Sequence, residues 1–92
     1  MKLQIDQINK DLFKVFIKDN IDTCHFVTLK DEIFQKLTQE KITKEKLINL
    51  SFEFLLKKEE NTQILREFEL QVISEYFSDY MENVKSWCSK GK

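Results

Sequence analysis

The chain has 92 residues and a net charge of −1, and 41% of its residues are hydrophobic, with eight Phe, two Tyr and one Trp. This length supports one domain, and the apolar fraction is too high for a disordered protein. Acidic and basic residues nearly balance within each of the blocks 1–42, 43–60 and 61–92, which excludes a polybasic arm or an acidic tail. The longest apolar run is too short to span a membrane and the first residues lack a signal-peptide core, so we expect a cytoplasmic protein.

Alternating apolar positions in the first third of the chain predict three short strands. These positions are Leu3 and Ile5 in the first strand, Phe13, Val15 and Ile17 in the second, and His25, Val27 and Leu29 in the third. Turn-forming residues at 9–11 and 19–20 separate the strands, and strands joined by tight turns pair antiparallel. Residues 1–29 are therefore predicted to form an antiparallel β-meander. Because Phe16 interrupts the polar face of the second strand, we expect that strand to be covered on both sides.

A first helix is predicted directly after the third strand. Thr28 is the candidate N-cap, and Asp31 and Glu32 would lie in the first turn, where the helix dipole favours acids. Apolar residues within 33–37 then recur with the spacing of one helical stripe.

The most apolar helix is predicted to begin at Thr43, which is a second candidate N-cap, and to close at Lys57 and Lys58. Its apolar side chains are Leu47, Ile48, Leu50, Phe52, Phe54, Leu55 and Leu56. They point in nearly every direction around the helix, which is typical of a helix buried on all sides. We therefore expect this helix to be the central one of the domain.

The remaining residues predict a capping turn at Asn61-Thr62, a short element over 64–68, and a last helix from about Gln71 to Ser89. The apolar seam of this last helix is Ile73, Phe77, Tyr80, Val84 and Trp87. Its spacing alternates four and three residues, as in a heptad pattern. A stripe of this kind packs either on the core of its own domain or on a second chain.

The second possibility makes the C-terminal half of the stripe a candidate interface. We assign Tyr80, Val84 and Trp87 to it, because Trp and Tyr concentrate at interface hot spots and the apolar signal continues almost to the chain end. The partner would be a second copy of the chain or a different protein.

Together these elements predict a single α+β domain over residues 1–92. A three-stranded antiparallel sheet from residues 1–29 would pack against three to four α-helices from residues 30–92. The Thr43–Lys58 helix would lie between the sheet and the C-terminal helix.

The residues that usually carry chemistry are few. Cys24 and His25 are neighbours on a predicted strand, so their side chains point to opposite faces and do not easily ligate one ion. We interpret Cys24 and Cys88 as structural thiols, since Cys is among the most buried residue types. The single Gly, at position 91, excludes a phosphate-binding loop. We therefore expect no catalytic residue, no cofactor, no metal site and no enzymatic activity.

Part of the helical region resembles a family of small uncharacterised bacterial proteins. The matching residues are Ser51-Phe52-Glu53-Phe54-Leu55-Leu56, Glu59, Asn61-Thr62, Ile64-Leu65, Phe68-Glu69-Leu70, Val72-Ile73 and Tyr76-Phe77. The family pattern is similar to SFEFLLxRE followed by IL, F-D/E-L and YFP segments, and it implies no activity. This chain departs from the pattern at Lys58, and at Gln71 and Ser78, where the relatives carry Pro; these two positions bear on the start and the bend of the last helix.

A second resemblance is to the ribbon-helix-helix DNA-binding proteins. It is carried by the strand at 24–29, a helix with Ile33 and Leu37, the cap at Thr43, and Leu47-Ile48. In that fold two strands pair across a dimer and their outward side chains enter the major groove. This chain departs from it in three ways: the strand offers no outward Lys or Arg, the interval before the second helix is about one turn shorter, and two further strands come first.

We therefore expect a small non-enzymatic intracellular protein-interaction domain, acting as a homodimer or as an adaptor. The alternative is a DNA-binding transcriptional regulator or antitoxin-like protein of the ribbon-helix-helix type. Only one of the basic residues, Arg66, is an Arg, and Arg is preferred for reading bases and clamping phosphates. This composition favours the protein-interaction interpretation.

Overall fold

The sheet consists of strands from the first third of the chain and one short strand from a later segment. In the computed structural model, which describes residues 2–90, strands β1 (Lys2–Gln7), β2 (Leu12–Lys18) and β3 (Thr23–Thr28) form the expected antiparallel meander. A fourth strand, β4 (Glu67–Glu69), pairs with β3 in parallel, and the strand order is β1-β2-β3-β4. The α+β class is confirmed. The prediction of a purely antiparallel sheet of three strands is wrong, because a fourth strand joins in parallel.

Strand β4 has only three residues and a single apolar side chain, Phe68. No alternating pattern of useful length exists in such a segment, which is why the sequence indicated only a short element there. Pairing makes it a strand: the Phe26 amide donates to the Arg66 carbonyl at 2.7 Å, and Val27 lies beside Phe68 in the register.

The two faces of the sheet differ in burial. The face formed by Phe13, Val15 and Ile17 is buried against the helices. On the opposite face Phe16 is only half-buried and Phe26 is 37% exposed. The expectation that β2 is covered on both sides is therefore wrong for the described part of the chain, where the helices lie against one face of the sheet.

The helical elements are α1 (Asp31–Thr38), α2 (Lys44–Lys58), α3 (Ile73–Tyr76) and α4 (Tyr80–Lys90), with short 3-10 helices at Asn61–Gln63 and Leu70–Val72. Helix α2 is the central one, as predicted. On one side the ring of Phe52 contacts His25 of β3, with 5.6 Å between centroids. On another side Phe54 meets Tyr80 and Trp87 of α4 at 5.5 and 6.4 Å. No helix within residues 2–90 combines the length and the apolar character needed to cross a bilayer.

One of the two predicted helix caps is confirmed. The Lys46 amide donates to the Thr43 hydroxyl at 3.1 Å, so Thr43 caps α2. The prediction for Thr28 is wrong, because this residue remains in β3 and the N-cap of α1 is Lys30, without a side-chain hydrogen bond. Thr28 pairs with Leu12 of β2 and with Glu69 of β4. This pairing extends β3 to Thr28, although the side chain of Thr28 is of a type that caps helices.

The predicted last helix is broken between Phe77 and Tyr80. Phe77 is extended, at φ −131° and ψ 107°, so the helical run over 73–76 ends there and α4 begins at Tyr80. The residue before α4 is Asp79, a type favoured at helix starts, and its carboxylate lies 2.9 Å from the Lys58 ammonium at the end of α2. The continuous helix over 71–89 is therefore a wrong prediction. The apolar spacing over 73–87 predicted one continuous helix, although Asp79, a residue type favoured at helix starts, lies inside it.

Candidate binding groove

Cys24 and His25 lie on opposite faces of β3, as the strand geometry predicts. His25 is buried on the helix side, and Cys24 is half-buried on the outer face. Both ring nitrogens of His25 contact oxygen atoms: Nδ1 is 2.8 Å from the Leu65 carbonyl oxygen, and Nε2 is 2.9 Å from the Thr23 hydroxyl. Both ring nitrogens of His25 therefore form hydrogen bonds with oxygen atoms, and neither contacts a cysteine thiol.

These contacts belong to a directional hydrogen-bond chain. A carbonyl only accepts, so His25 Nδ1 carries the hydrogen that bonds Leu65. In the neutral ring Nε2 then accepts from the Thr23 hydroxyl, and the Thr23 oxygen accepts from Asn61 Nδ2 at 2.9 Å. Asn61 also donates to the Ile21 carbonyl at 2.8 Å. The chain fastens the connector that follows α2 to β3.

The hydrogen-bond chain requires a neutral His25. A second proton would make Nε2 a donor toward the Thr23 hydroxyl and place a charge in the core. Burial accordingly lowers the pKa of His25; the hydrogen bond to Leu65 opposes this shift, and the positive charge of Arg66 adds to it.

The second thiol, Cys88, lies buried on the last turns of α4. Burial raises the pKa of this thiol, and the positive charge of Lys41 partly offsets the effect. Among the described residues, no three or more His, Cys, Asp or Glu side chains gather in an arrangement that could hold a metal ion.

The three candidate interface residues occupy different environments. Tyr80 and Val84 are fully buried in the core of this chain, and Trp87 is half-buried with its ring 6.1 Å from that of Tyr80. The alternative in which the stripe packs on its own core is therefore confirmed for Tyr80 and Val84. Association through α4 stays a prediction, with Trp87 as its accessible part.

A groove that the sequence did not indicate opens at the other end of α4. It is a cavity of about 180 Å³, open to solvent on one side. The residues that line it are Leu55, Glu59, Gln63, Ile64, Leu65, Phe68, Val72, Ile73, Tyr76 and Phe77. Eight of these ten side chains are hydrophobic or aromatic, and we call this surface the apolar groove.

Several elements build the apolar groove. Leu55 and Glu59 are four residues apart on α2 and so share one helix face. The connector after α2 and strand β4 supply Leu65 and Phe68, and the segment around α3 supplies Tyr76. The hydrogen bond from His25 Nδ1 to the Leu65 carbonyl oxygen, at 2.8 Å, fixes the backbone of Leu65 at one side of the groove.

The rim of the groove exposes large apolar side chains while its floor is buried. Tyr76 is 67% exposed and Leu65 is 48% exposed. Leu55, Ile64 and Ile73 below them are buried. Large apolar side chains are also exposed elsewhere, at Ile8 and Ile21, and single ones need no explanation. Tyr76 and Leu65 differ because they lie together at a concave apolar site, and this combination is typical of an interaction surface.

The sequence contains one partial signal for this surface, which is Asp79. Asp is favoured at helix starts, and its position inside the apolar seam indicates a new helix beginning at Tyr80. Such a start separates the turn that carries Tyr76 from α4.

The chain segment that supplies most of the groove lining is acidic. Between positions 59 and 79 the chain carries six acids and one base, Arg66. Glu59 lines the groove itself.

The position of β3 inside the sheet differs from that of the strand in ribbon-helix-helix proteins. In that fold the strand pairs with its counterpart in a second chain. Here β3 pairs with β2 on one side and with β4 on the other, within one chain. Two chains therefore do not pair through β3 over the residues that β4 covers.

Comparison of the chain with protein-family models, with curated proteins and with solved structures gave no match. The function is therefore argued from the geometry of the molecule.

Proposed function

We propose that this protein is a non-enzymatic protein-interaction domain that binds its partner through the apolar groove. The observation that carries the proposal is the rim of the groove, where Tyr76 and Leu65 are largely exposed above a buried apolar floor. Exposed apolar surface of this kind, next to a concave site, marks interaction surfaces. Tyr offers a large apolar area with few rotatable bonds, which favours binding.

The lining supports binding rather than catalysis. Its polar side chains are Glu59 and Gln63, and the remaining lining residues are apolar or aromatic. A hydrolytic or transfer reaction needs a nucleophile or an acid-base pair within reach of the substrate. The groove is suited instead to desolvating an apolar side chain of a partner.

The partner is either a second copy of this chain, which gives a homodimer, or a different protein, which makes the domain an adaptor. Light scattering at about 100 μM protein separates the two, because a homodimer with ordinary affinity of about 1 μM is almost fully formed at that concentration. A second copy bound through the groove would shift from dimer to monomer when Tyr76 is changed to Ala.

Photo-crosslinking in the source cell tests the proposal. A benzoylphenylalanine residue replaces Tyr76 in one variant and Leu65 in a second. The matched control carries it at Ile21, which is 64% exposed in the turn between β2 and β3 and does not line the groove. We expect one discrete crosslinked product from both groove positions and none from Ile21. Equal crosslinking from Ile21 and the groove positions, or none from any position, would contradict the proposal.

A further inference from the structure

We infer that the partner segment of the apolar groove is a peptide with one large apolar anchor flanked by Lys or Arg. This inference rests on the proposed function, because it specifies what the same groove binds. Two observations carry it: the size of the cavity and the charge of the chain segment that builds its rim.

The size of the cavity limits the anchor. A cavity of roughly 150 Å³ holds a single aromatic ring in other proteins, and this groove measures about 180 Å³. It therefore accommodates one Phe, Leu or Trp-sized side chain and not a row of them. The anchor would contact the Phe68 and Tyr76 rings beside it.

The charge is unevenly distributed along the chain. Positions 59–79 carry a net charge of −5, although the whole chain is at −1, so the remaining residues carry +4. The acidic part is the part that supplies nine of the ten lining residues. A basic segment is attracted to such a surface, and an acidic one is repelled.

Not all of these acids are equally available. Asp79 is neutralised by Lys58 at 2.9 Å, and Glu60 accepts a backbone hydrogen bond in the capping box with Gln63. Glu59 lines the groove and Glu75 precedes Tyr76 on α3, and among the described side chains neither forms an ion pair. Glu67 and Glu69 flank Phe68 on β4, so their side chains point away from the side on which Phe68 lines the groove. Glu59 and Glu75 are therefore the acids that we assign to the flanking Lys or Arg of the partner.

The test uses synthetic peptides and the full chain. The probe is a short peptide with one central Phe and Lys residues on both sides. One control peptide replaces Phe by Ala, and another replaces each Lys by Glu. NMR titration measures the affinity and shows which backbone amides shift. We expect shifts around Leu65, Phe68 and Tyr76. Without the Phe, the affinity should fall at least about tenfold, because the peptide loses the side chain that is buried in the groove.

Charge-reversal variants of the protein test the electrostatic part. Glu75→Lys should weaken binding of the Lys-flanked peptide by about fivefold, which corresponds to one reversed surface ion pair. The matched control is Glu53→Lys: Glu53 is exposed, and two residues from Leu55 it points to the opposite side of α2. Binding to the Glu53 variant should stay within twofold of wild type. Higher salt should weaken binding by the wild type more than by Glu75→Lys.

The outcomes separate this inference from the proposed function. Equal binding of the Lys-flanked and Glu-flanked peptides, equal loss in the two charge variants, or no binding of the Lys-flanked peptide would overturn the inference. If Tyr76 and Leu65 still crosslink a partner in the cell in any of these cases, the proposed function stands and only the basic character of the partner is wrong.

Discussion

The phenol oxygen of Tyr80 lies 2.7 Å from the hydroxyl oxygen of Ser51, and this contact joins α4 to α2 in the core. Both residues are fully buried. The Ser51 hydroxyl gives its hydrogen to the Leu47 carbonyl at 2.7 Å, so Tyr80 is the donor and Ser51 the acceptor between them. Burial raises the pKa of Tyr80 to about 12, and a hydrogen bond that Ser51 would donate to the phenolate partly offsets the rise.

This direction of donation predicts that the two partners respond unequally to substitution. Ser51→Ala leaves the buried Tyr80 hydroxyl without its acceptor, which costs about 1–3 kcal/mol. Tyr80→Phe removes the donor but leaves Ser51 bonded to Leu47, and should cost about 1 kcal/mol. Urea unfolding of the two single variants and the double variant measures both values. For a bonded pair the double variant should lose less stability than the two single losses added together. A loss equal to that sum, or larger, would contradict the pairing.

The neutral His25 predicts a pH dependence of stability. Its pKa is lowered in the folded state, so below the unfolded pKa of about 6.5 the unfolded chain binds more protons than the folded one. The free energy of unfolding should therefore fall as the pH drops from about 7 to 5.5. The pKa values of Asp31 and Asp79 are also lowered, by hydrogen bonds from Lys44 and Lys58, but they act below about pH 4.5.

The control for this pH dependence is His25→Gln, which is expected to be less stable at every pH. Its stability should change less between about pH 7 and 5.5 than that of the wild type, because the titrating group is gone. Unfolding curves at four or more pH values give both slopes. An unchanged slope in the variant would assign the effect to other groups.

Truncation in the central helix should be costly. Phe52 is fully buried between His25 and Phe68, with ring centroids at 5.6 and 6.0 Å. Phe52→Ala should lower the free energy of unfolding by about 3–5 kcal/mol, and Leu55→Ala by about 2–5 kcal/mol. Glu53→Ala, on the exposed side of α2, should stay within about 0.5 kcal/mol. Thermal melts measure all three variants, and a wild-type melt for Phe52→Ala would contradict the position of this helix.

The end of α1 predicts a stabilising substitution. Gln39 and Glu40 have φ values of 53° and 60°, a left-handed conformation that favours Gly. Gln39→Gly should raise the free energy of unfolding by about 0.5 kcal/mol, since removal of the Cβ strain exceeds the added entropy of the unfolded chain. Gln35→Gly, inside α1, should instead lower it by about 1 kcal/mol. Loss of stability in the Gln39 variant would contradict the left-handed geometry.

The two thiols should differ in reactivity. Cys24 is half-buried on the open face of the sheet, whereas Cys88 is buried with a raised pKa. Because the thiolate is the reactive form, a thiol reagent at about pH 8 should modify Cys24 rapidly and Cys88 slowly in the folded protein. Cys24→Ser should remove the fast phase. A fast phase that persists in this variant would place Cys88 at the surface.

Local patterns determined the elements that depend on local physics. The alternation of Phe13, Val15 and Ile17 predicted both the second strand and its buried face, because successive strand residues point to opposite sides. The apolar run of α2 predicted the central helix, although one side of this helix, with Glu53, is exposed rather than buried. Thr43 predicted where the helix begins, because a cap satisfies backbone amides a few residues away. These signals lie within a few residues of the structure that they specify.

The remaining features of the fold depend on contacts between segments that are distant in the sequence. Strand β4 exists because Phe68 lies beside Val27 of β3, forty-one positions earlier, and three residues alone do not form a strand. Asp79, which follows the break after Phe77, pairs with the distant Lys58. The apolar groove joins Leu55 of α2 to Tyr76 of α3, and a pattern of hydrophobic spacing does not show which apolar side chains remain uncovered after folding. The fold class, most of the elements and the central helix therefore follow from local sequence patterns. The fourth strand and the exposed surface follow from tertiary contacts, because exposure depends on which distant segments cover each other.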